Sequence, residues 1–370
     1  MSKYMKLALK LAENGMGQVL TNPLVGAVIV KDKRVISTGY HEKYGQYHAE
    51  RNAILSCEED LKGSHIYVNL EPCCHYGKTP PCTDLIIESG ISEVTIGMED
   101  PNPLVAGKGI EKLKKHGIKV NLGILEKESK LLNRHFIKNI REKMPYVSLK
   151  TAMTLGGKIA SKDLDTKWIS NSKSRTIVQD MRNQHIGIMV GINTVINDNP
   201  RLTTRRENGN SIDPHRIIVD STGKVPMNSR VIIEKSDKDT IILTTSKILD
   251  IKKEKLESMG VKVVICKDNS GRIDLQDAME KLFEMGIGSI LLEGGGTLNF
   301  EMARAGLIDE YFIFIAPKII GGVNAPSIFS GDGISKINDS INIDIDDISM
   351  VGKDILIKGF KKGGLKCLLG

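Results

Sequence analysis

The chain has 370 residues, 40% hydrophobic and 26% charged, a balance that fits a globular protein with material for two cores. Its net charge of +7 is spread evenly, with 21 basic against 17 acidic residues up to Met144 and 31 against 28 beyond, so neither half is the strongly basic module of a nucleic-acid binder. No apolar run approaches the roughly 18 residues of a membrane helix, and the N-terminus opens on an amphipathic pattern, so neither a span nor a secretory signal is expected and a cytoplasmic location is. Six cysteines, three of them inside one short motif, fit metal use in a reducing compartment better than a disulfide framework.

Taken in order, Tyr4, Leu7, Ala8 and Leu11 recur at helical spacing and predict an amphipathic helix ending near Gly15 to Gly17. The apolar run Val25 to Val30 and the β-rich run Arg34 to Thr38, separated by Lys31-Asp32-Lys33, read as a hairpin. A helix is expected from Ala49 to Ser56 and a strand from Ile66 to Leu70. That strand delivers Glu71-Pro72-Cys73 at its C-terminal end, where open α/β sheets bind ligands. Helical stretches at 84–89, 109–116 and 127–138 alternate with an extended Val94 to Gly97, which predicts a three-layer α/β/α sandwich.

The chemistry of this half sits in His48-Ala49-Glu50 and, further on, Pro72-Cys73-Cys74-His75-Tyr76-Gly77-Lys78-Thr79-Pro80-Pro81-Cys82. One imidazole and two thiols, His48, Cys73 and Cys82, are ligand types zinc prefers, and three protein ligands leave a position for water. Glu50, two residues past the imidazole, is placed to shuttle that water's proton, so the expected reaction is hydrolytic deamination of a ring amine. The order His-x-Glu before Pro-Cys is that of zinc nucleobase deaminases, although eight residues separate Cys73 from Cys82 instead of two. Cys74 competes with Cys73 as a ligand, and a closed four-thiolate structural site is the bland alternative. Cys57, Cys266 and Cys367 read as ordinary thiols.

Arg141-Glu142-Lys143-Met144-Pro145, a charged run closed by proline, marks a boundary between 1–144 and 145–370. Beyond it, strands are expected at Tyr146 to Lys150, Ile186 to Gly191, Arg216 to Val219, Thr240 to Thr244 and Val261 to Cys266, with a helix from Asn171 to Arg182, as in a mostly parallel sheet. Ile290-Leu291-Leu292 running into Glu293-Gly294-Gly295-Gly296 reads as strand, glycine turn and helix, a place for a cofactor pyrophosphate. By itself a triple glycine is weak, and no Gly-x-Gly-x-x-Gly fingerprint occurs.

The run Glu71 to Cys82, with Asn22-Pro23-Leu24-Val25-Gly26 before it and Asp100-Pro101-Asn102-Pro103-Leu104-Val105-Ala106-Gly107-Lys108-Gly109 after it, resembles the bifunctional riboflavin-biosynthesis deaminase/reductase family. That family usually has Ser at Cys74 and Pro at Thr21. The resemblance implies a cytidine-deaminase-like first domain and a dihydrofolate-reductase-like second domain that uses NADPH. It implies pyrimidine and ribose-phosphate contacts from Asn22, His41, His75 and Lys78. In the second half it implies cofactor contacts from Ala152, Trp168, Thr194, Asp198, Ser221 and Gly294, Gly295 and Gly296. Substrate contacts are implied at Thr166, Arg182, Leu202, Arg205 and Glu293, and Lys150 is expected to polarise the reacting ribose. Gln179-Asp180 stands where the family pattern has His-Arg, so contacts before Arg182 are expected to differ. The implied partners are a phosphoribosyl pyrimidine and further copies of the chain, with no nucleic acid and no membrane. A nucleoside or tRNA-base deaminase with an unrelated second domain, and a zinc-stabilised binding protein, remain the rival readings.

Overall fold

A computed structural model describes residues 1–76, 80–103, 105–207, 209 and 211–369. The chain divides into two compact units, Met1–Lys143 joined by the residues from Leu368 onward, and Met144–Cys367.

The first unit is built from α1 (Ser2–Ala12), β1 (Gly26–Lys31), β2 (Arg34–Tyr40), α2 (Ala49–Leu55), β3 (His65–Leu70), α3 (Cys82–Glu88), β4 (Glu93–Met98), α4 (Lys108–Lys115), β5 (Lys119–Leu122), α5 (Glu126–Leu132) and α6 (Arg134–Glu142). The predicted hairpin forms: Asp32 and Lys33 both take positive φ, 51° and 61°, the tight turn whose twist suits antiparallel strands. The sheet runs β2-β1-β3-β4-β5, with β3, β4 and β5 parallel. Successive residues of β1 face opposite ways. Val28 and Val30 pack with Met5 and Ala8 of α1, whereas Ala27 and Ile29 pack with Ala49 and Ala53 of α2, Ile86 of α3 and Leu113 of α4. This makes the expected three-layer sandwich.

The single helix expected over 127–138 is instead two, α5 and α6, broken at Asn133. The buried Asn133 side chain turns inward, where Oδ1 accepts from Leu24 N at 2.8 Å and Nδ2 donates to Leu24 O at 3.0 Å. A side chain that serves distant backbone in this way competes with helix continuation.

The second unit contains β6 (Tyr146–Thr154), α7 (Ser172–Gln184), β7 (Gly187–Gly191), α8 (Ile192–Asp198), β8 (His215–Val219), α9 (Arg230–Ile233), β9 (Thr240–Thr244), α10 (Asp250–Ser258) and β10 (Lys262–Ile265). A two-residue ladder, β11 (Asp268–Asn269) and β12 (Arg272–Ile273), leads into α11 (Leu275–Glu284), β13 (Ser289–Leu292), α12 (Gly296–Arg304), β14 (Glu310–Ala316), β15 (Ile343–Val351) and β16 (Asp354–Lys361), and α13 (Gly364–Leu369) begins in this unit and ends in the first. The main sheet runs β10-β9-β8-β7-β13-β6-β14-β16-β15, parallel as far as β14 and antiparallel over the last two pairings. Its central strands are apolar on both faces: Ile217 and Met189 enter one core, Ile218, Ile188 and Val190 the other.

Candidate metal centre and cofactor cleft

In the first unit, three loops converge at the ends of the sheet. His48 is the residue preceding α2, Cys73 lies three residues past the end of β3, and Cys82 opens α3. Nδ1 of His48 is 3.5 Å from Cys73 Sγ and 3.4 Å from Cys82 Sγ, and all three donor atoms lie within 4.8 Å of one another. One nitrogen and two sulfurs so spaced match the donor chemistry of zinc, so these residues fit the ion. Cys74 lies outside this set.

The set is electrostatically prepared. The Cys73 thiol is pushed down to about 4 by the hydrogen bond from Cys82 and, against its burial, by His48, while Cys82 is pushed up by sharing that proton. His48 is pushed up to about 8, chiefly by its hydrogen bond with Cys73. Glu50, in the first turn of α2, is 3% exposed, and burial pushes its carboxyl up to about 7, inside the range useful for both taking and giving a proton.

The expected pocket residues gather unevenly around this centre. His41 is buried, and its ring meets that of His48 edge-on at 5.7 Å. Its Nδ1 lies 2.9 Å from Tyr47 O, which can only accept, so Nδ1 carries the proton and Nε2 accepts from Asn22 Nδ2 at 3.1 Å. Burial pushes His41 below the ordinary imidazole value. His75 is exposed, and Lys78 falls outside the described residues. Asp100, quoted only as part of a motif in the sequence, is a buried carboxyl pushed up to about 6 by desolvation and by the nearby charges of Glu71 and Cys73. Its hydrogen bond to Asn102 N and its burial are tertiary facts, and an Asp-Pro dipeptide alone reads as a turn.

In the second unit a cleft of about 1160 Å³ opens at the C-terminal ends of β7, β8 and β13, lined among others by Thr166, Thr194, Asp198, Ser221, Gly295 and Gly296. Gly295 precedes α12 and Gly296 begins it, and a Cβ on Gly296 would lie 2.3 Å from Ser327 O. Only a glycine lets the 327–330 segment close over this turn while the first amides of α12 stay available to an anion. Thr166 Oγ1 donates to Asp198 Oδ1 at 3.4 Å on one wall, and Ser221 Oγ accepts from Ile273 N at 3.1 Å on the other. The size and the glycine cradle fit an extended dinucleotide. The exposed Trp168 stacks on the Arg175 guanidinium, 4.6 Å from its ring centre, while Ala152 is half-buried in β6 and Gly294 ends the β13 turn, all three apart from the lining.

The polar substrate candidates form a separate cluster. Arg182 of α7 is paired with Glu293 at 2.7 and 3.0 Å and donates to Thr203 O at 3.0 Å, and Lys150 Nζ is 3.8 Å from the same carboxylate. Burial pushes Glu293 up, but the Arg182 and Lys150 charges outweigh it and hold the carboxyl down at about 2. Lys150 is lowered by burial, with Glu293 opposing. Glu293 thus takes the Nε and Nη2 edge of the Arg182 guanidinium. Arg205 is exposed and donates to Thr203 Oγ1 at 3.0 Å. Leu202 is 3% exposed with its side chain in the core, so any contact it makes with a ligand is through its backbone, where φ is 54°.

A zinc-dependent deaminase fused to a nicotinamide-dependent reductase is the class of enzyme in which these two units belong together. The chain matches the cytidine and deoxycytidylate deaminase zinc-binding region over residues 1–98 and the RibD C-terminal domain over residues 145–357. It is 45% identical to the riboflavin biosynthesis protein RibD of Actinobacillus pleuropneumoniae over 354 residues, covering 96% of this chain and 93% of that one. With RibD of Bacillus amyloliquefaciens it shares 41% over 361 residues, 98% and 96% of the two chains. The Thermotoga maritima diaminohydroxyphosphoribosylaminopyrimidine deaminase/5-amino-6-(5-phosphoribosylamino)uracil reductase has the same fold, with a TM-score of 0.87 and 39% identity over 97% of this chain and 98% of that one. The chain belongs to the RibD family of bifunctional riboflavin-biosynthesis deaminase/reductases, whose cofactors are zinc and NADPH.

Proposed function

We propose that residues 1–144 convert 2,5-diamino-6-(5-phosphoribosylamino)pyrimidin-4-one to the aminouracil, and that residues 145–370 reduce its ribosyl group to ribityl. The observation that carries the first step is the His48, Cys73 and Cys82 triad with the buried Glu50 carboxyl beside it. Zinc held by these residues is a Lewis acid that makes water nucleophilic at neutral pH. Glu50 takes the attacking water's proton on its carboxylate and gives it to the departing amine, so water enters and ammonia leaves with no change in redox state. Asn22 and the neutral His41 hold the ring from one wall, and His75 and Lys78 hold the ribose phosphate.

In the second step Thr194, Asp198, Ser221 and the Gly294–Gly296 turn, with Ala152 and Trp168 beyond the cleft lining, would hold NADPH, which would supply a hydride for C1′ of the opened ribose. As the hydride adds to C1′ of the opened form, the amino nitrogen keeps the C1′=N electron pair and takes a proton from solvent, and Lys150, aligned by Glu293, polarises the reacting ribose. Thr166, Arg182, Leu202, Arg205 and Glu293 bind the substrate around it, with Arg182 and Glu293 orienting each other.

Glu50→Gln tests the first step: ammonia release should fall by about 10²- to 10⁴-fold while zinc content stays parental. A variant deaminating at the parental rate removes Glu50 from this role.

We further infer a homo-oligomer in the cytoplasm. Supporting the first, β15 is an edge strand whose exposed Ile345, Ile348 and Met350 pair with Gly359, Ile357 and Ile355, every second residue of β16, so they share one face. Ile348→Lys is expected to lower the mass measured by light scattering; an unchanged mass removes this face from the assembly. Supporting the second, no helix among the described residues is long and apolar enough to cross a membrane, and the cysteines are free thiols.

A further inference from the structure

The motif Glu71 to Cys82 carries two of the metal-centre residues, and a second motif, Asp100 to Gly109, follows it that the proposed chemistry does not use. The fold joins them through one side chain. Strands β3 and β4 are parallel neighbours, and Glu71 N extends their ladder by donating to Met98 O at 3.0 Å. Beyond that point the Glu71 carboxylate, buried at 3% exposure, accepts four backbone amides. Oε2 takes Asp100 N at 3.2 Å and Gly107 N at 3.0 Å, and Oε1 takes Gly109 N at 2.9 Å and Ile110 N at 3.2 Å. Two of these are first-turn amides of α4, which lack intrahelical partners. The fit is tight: a Cβ on Gly109 would lie 2.3 Å from Pro72 O, the carbonyl next to Cys73.

We propose that Glu71 is a positioning residue for the deaminase site, locking Asp100 and the Gly107–Ile110 turn onto the Pro72–Cys73 backbone and so fixing where the Cys73 sulfur stands relative to His48 and Cys82. This rests on the reading of those three residues as zinc ligands. A carboxylate is required because both of its oxygens face donors. In Glu71→Gln the amide NH₂ necessarily points at two backbone N–H groups, in either flip, and the segment must withdraw. A residue that only capped α4 would alter stability and leave the metal environment alone.

The test uses the full-length chain loaded with zinc, and separately with cobalt as a spectroscopic probe of thiolate ligation. Glu71→Gln is expected to transfer zinc to a chelator roughly 10- to 100-fold faster than the parent, the range typical of groups that orient ligands. Its thiolate-to-cobalt absorption should shift, Glu71→Asp should recover part of both effects, and NADPH oxidation on the deaminated intermediate should stay parental. Gly109→Ala, which keeps the carboxylate but puts a Cβ 2.3 Å from Pro72 O and 3.0 Å from Glu71 Oε1, should reproduce the faster zinc release and serves if Glu71→Gln does not fold. A parent holding one zinc beside variants with its release rate and cobalt spectrum overturns the role of Glu71 alone. A parent that holds no zinc overturns the ligand reading and this proposal with it.

Discussion

At the scale of single residues the metal centre is a proton-sharing set. A zinc ligand must be a neutral imidazole or a thiolate. With His48 at about 8, Cys73 at about 4 and Cys82 raised, the chain at pH 7 carries a protonated imidazole, one thiolate and one thiol. Zinc uptake at that pH should therefore release about two protons, falling toward one as the pH passes 8 and His48 is already neutral. Calorimetry in buffers of different ionisation heat reads this number, and a pH-independent uptake with no proton release would contradict it. The ligand types and the glutamate were legible in the sequence, because only a few side chains bind zinc and their order is restrictive. The burial of Glu50 and the Arg182–Glu293 pairing were not, since both depend on what distant segments bring close.

At the scale of elements, the turn from β13 into α12 shows how a weak motif gains meaning. Three glycines in a row allow many conformations, but the Ser327 carbonyl against Gly296 permits no side chain there. Gly296→Ala is expected to cost about 1–3 kcal/mol through overpacking. Because the strain falls where the cofactor docks, the NADPH dissociation constant should rise by roughly tenfold or more, a factor that corresponds to about 1.4 kcal/mol. A fluorescence titration with NADPH measures it, and parental affinity would show that the 327–330 segment yields without consequence. The split of α5 from α6 at Asn133 was hidden because helical periodicity continues through it, and the partner that wins that side chain, Leu24, lies 109 residues away. Likewise, Ile345 and Ile348 are three apart in sequence and share a face only through the irregularity in register between Ile345 and Asp347.

At the scale of the molecule, each unit has its own sheet and its own cores, so the two activities should fail separately. Glu50→Gln should keep the parental rate of NADPH oxidation when supplied with the deaminated intermediate, and Gly296→Ala should keep the parental rate of ammonia release. Measuring both rates on both variants checks this, and a joint loss in either would contradict it. The sequence by itself determined the class of chemistry, the two α/β units and the residues able to hold zinc, because hydrophobic periodicity and ligand type are local properties. It also carried the family through motifs spread along most of the chain. Only the tertiary structure decided which polar groups are buried, which arginine already has its carboxylate, and that Glu71 binds the segment beyond β4. Those outcomes depend on close approach between residues far apart in the chain, which no local pattern encodes.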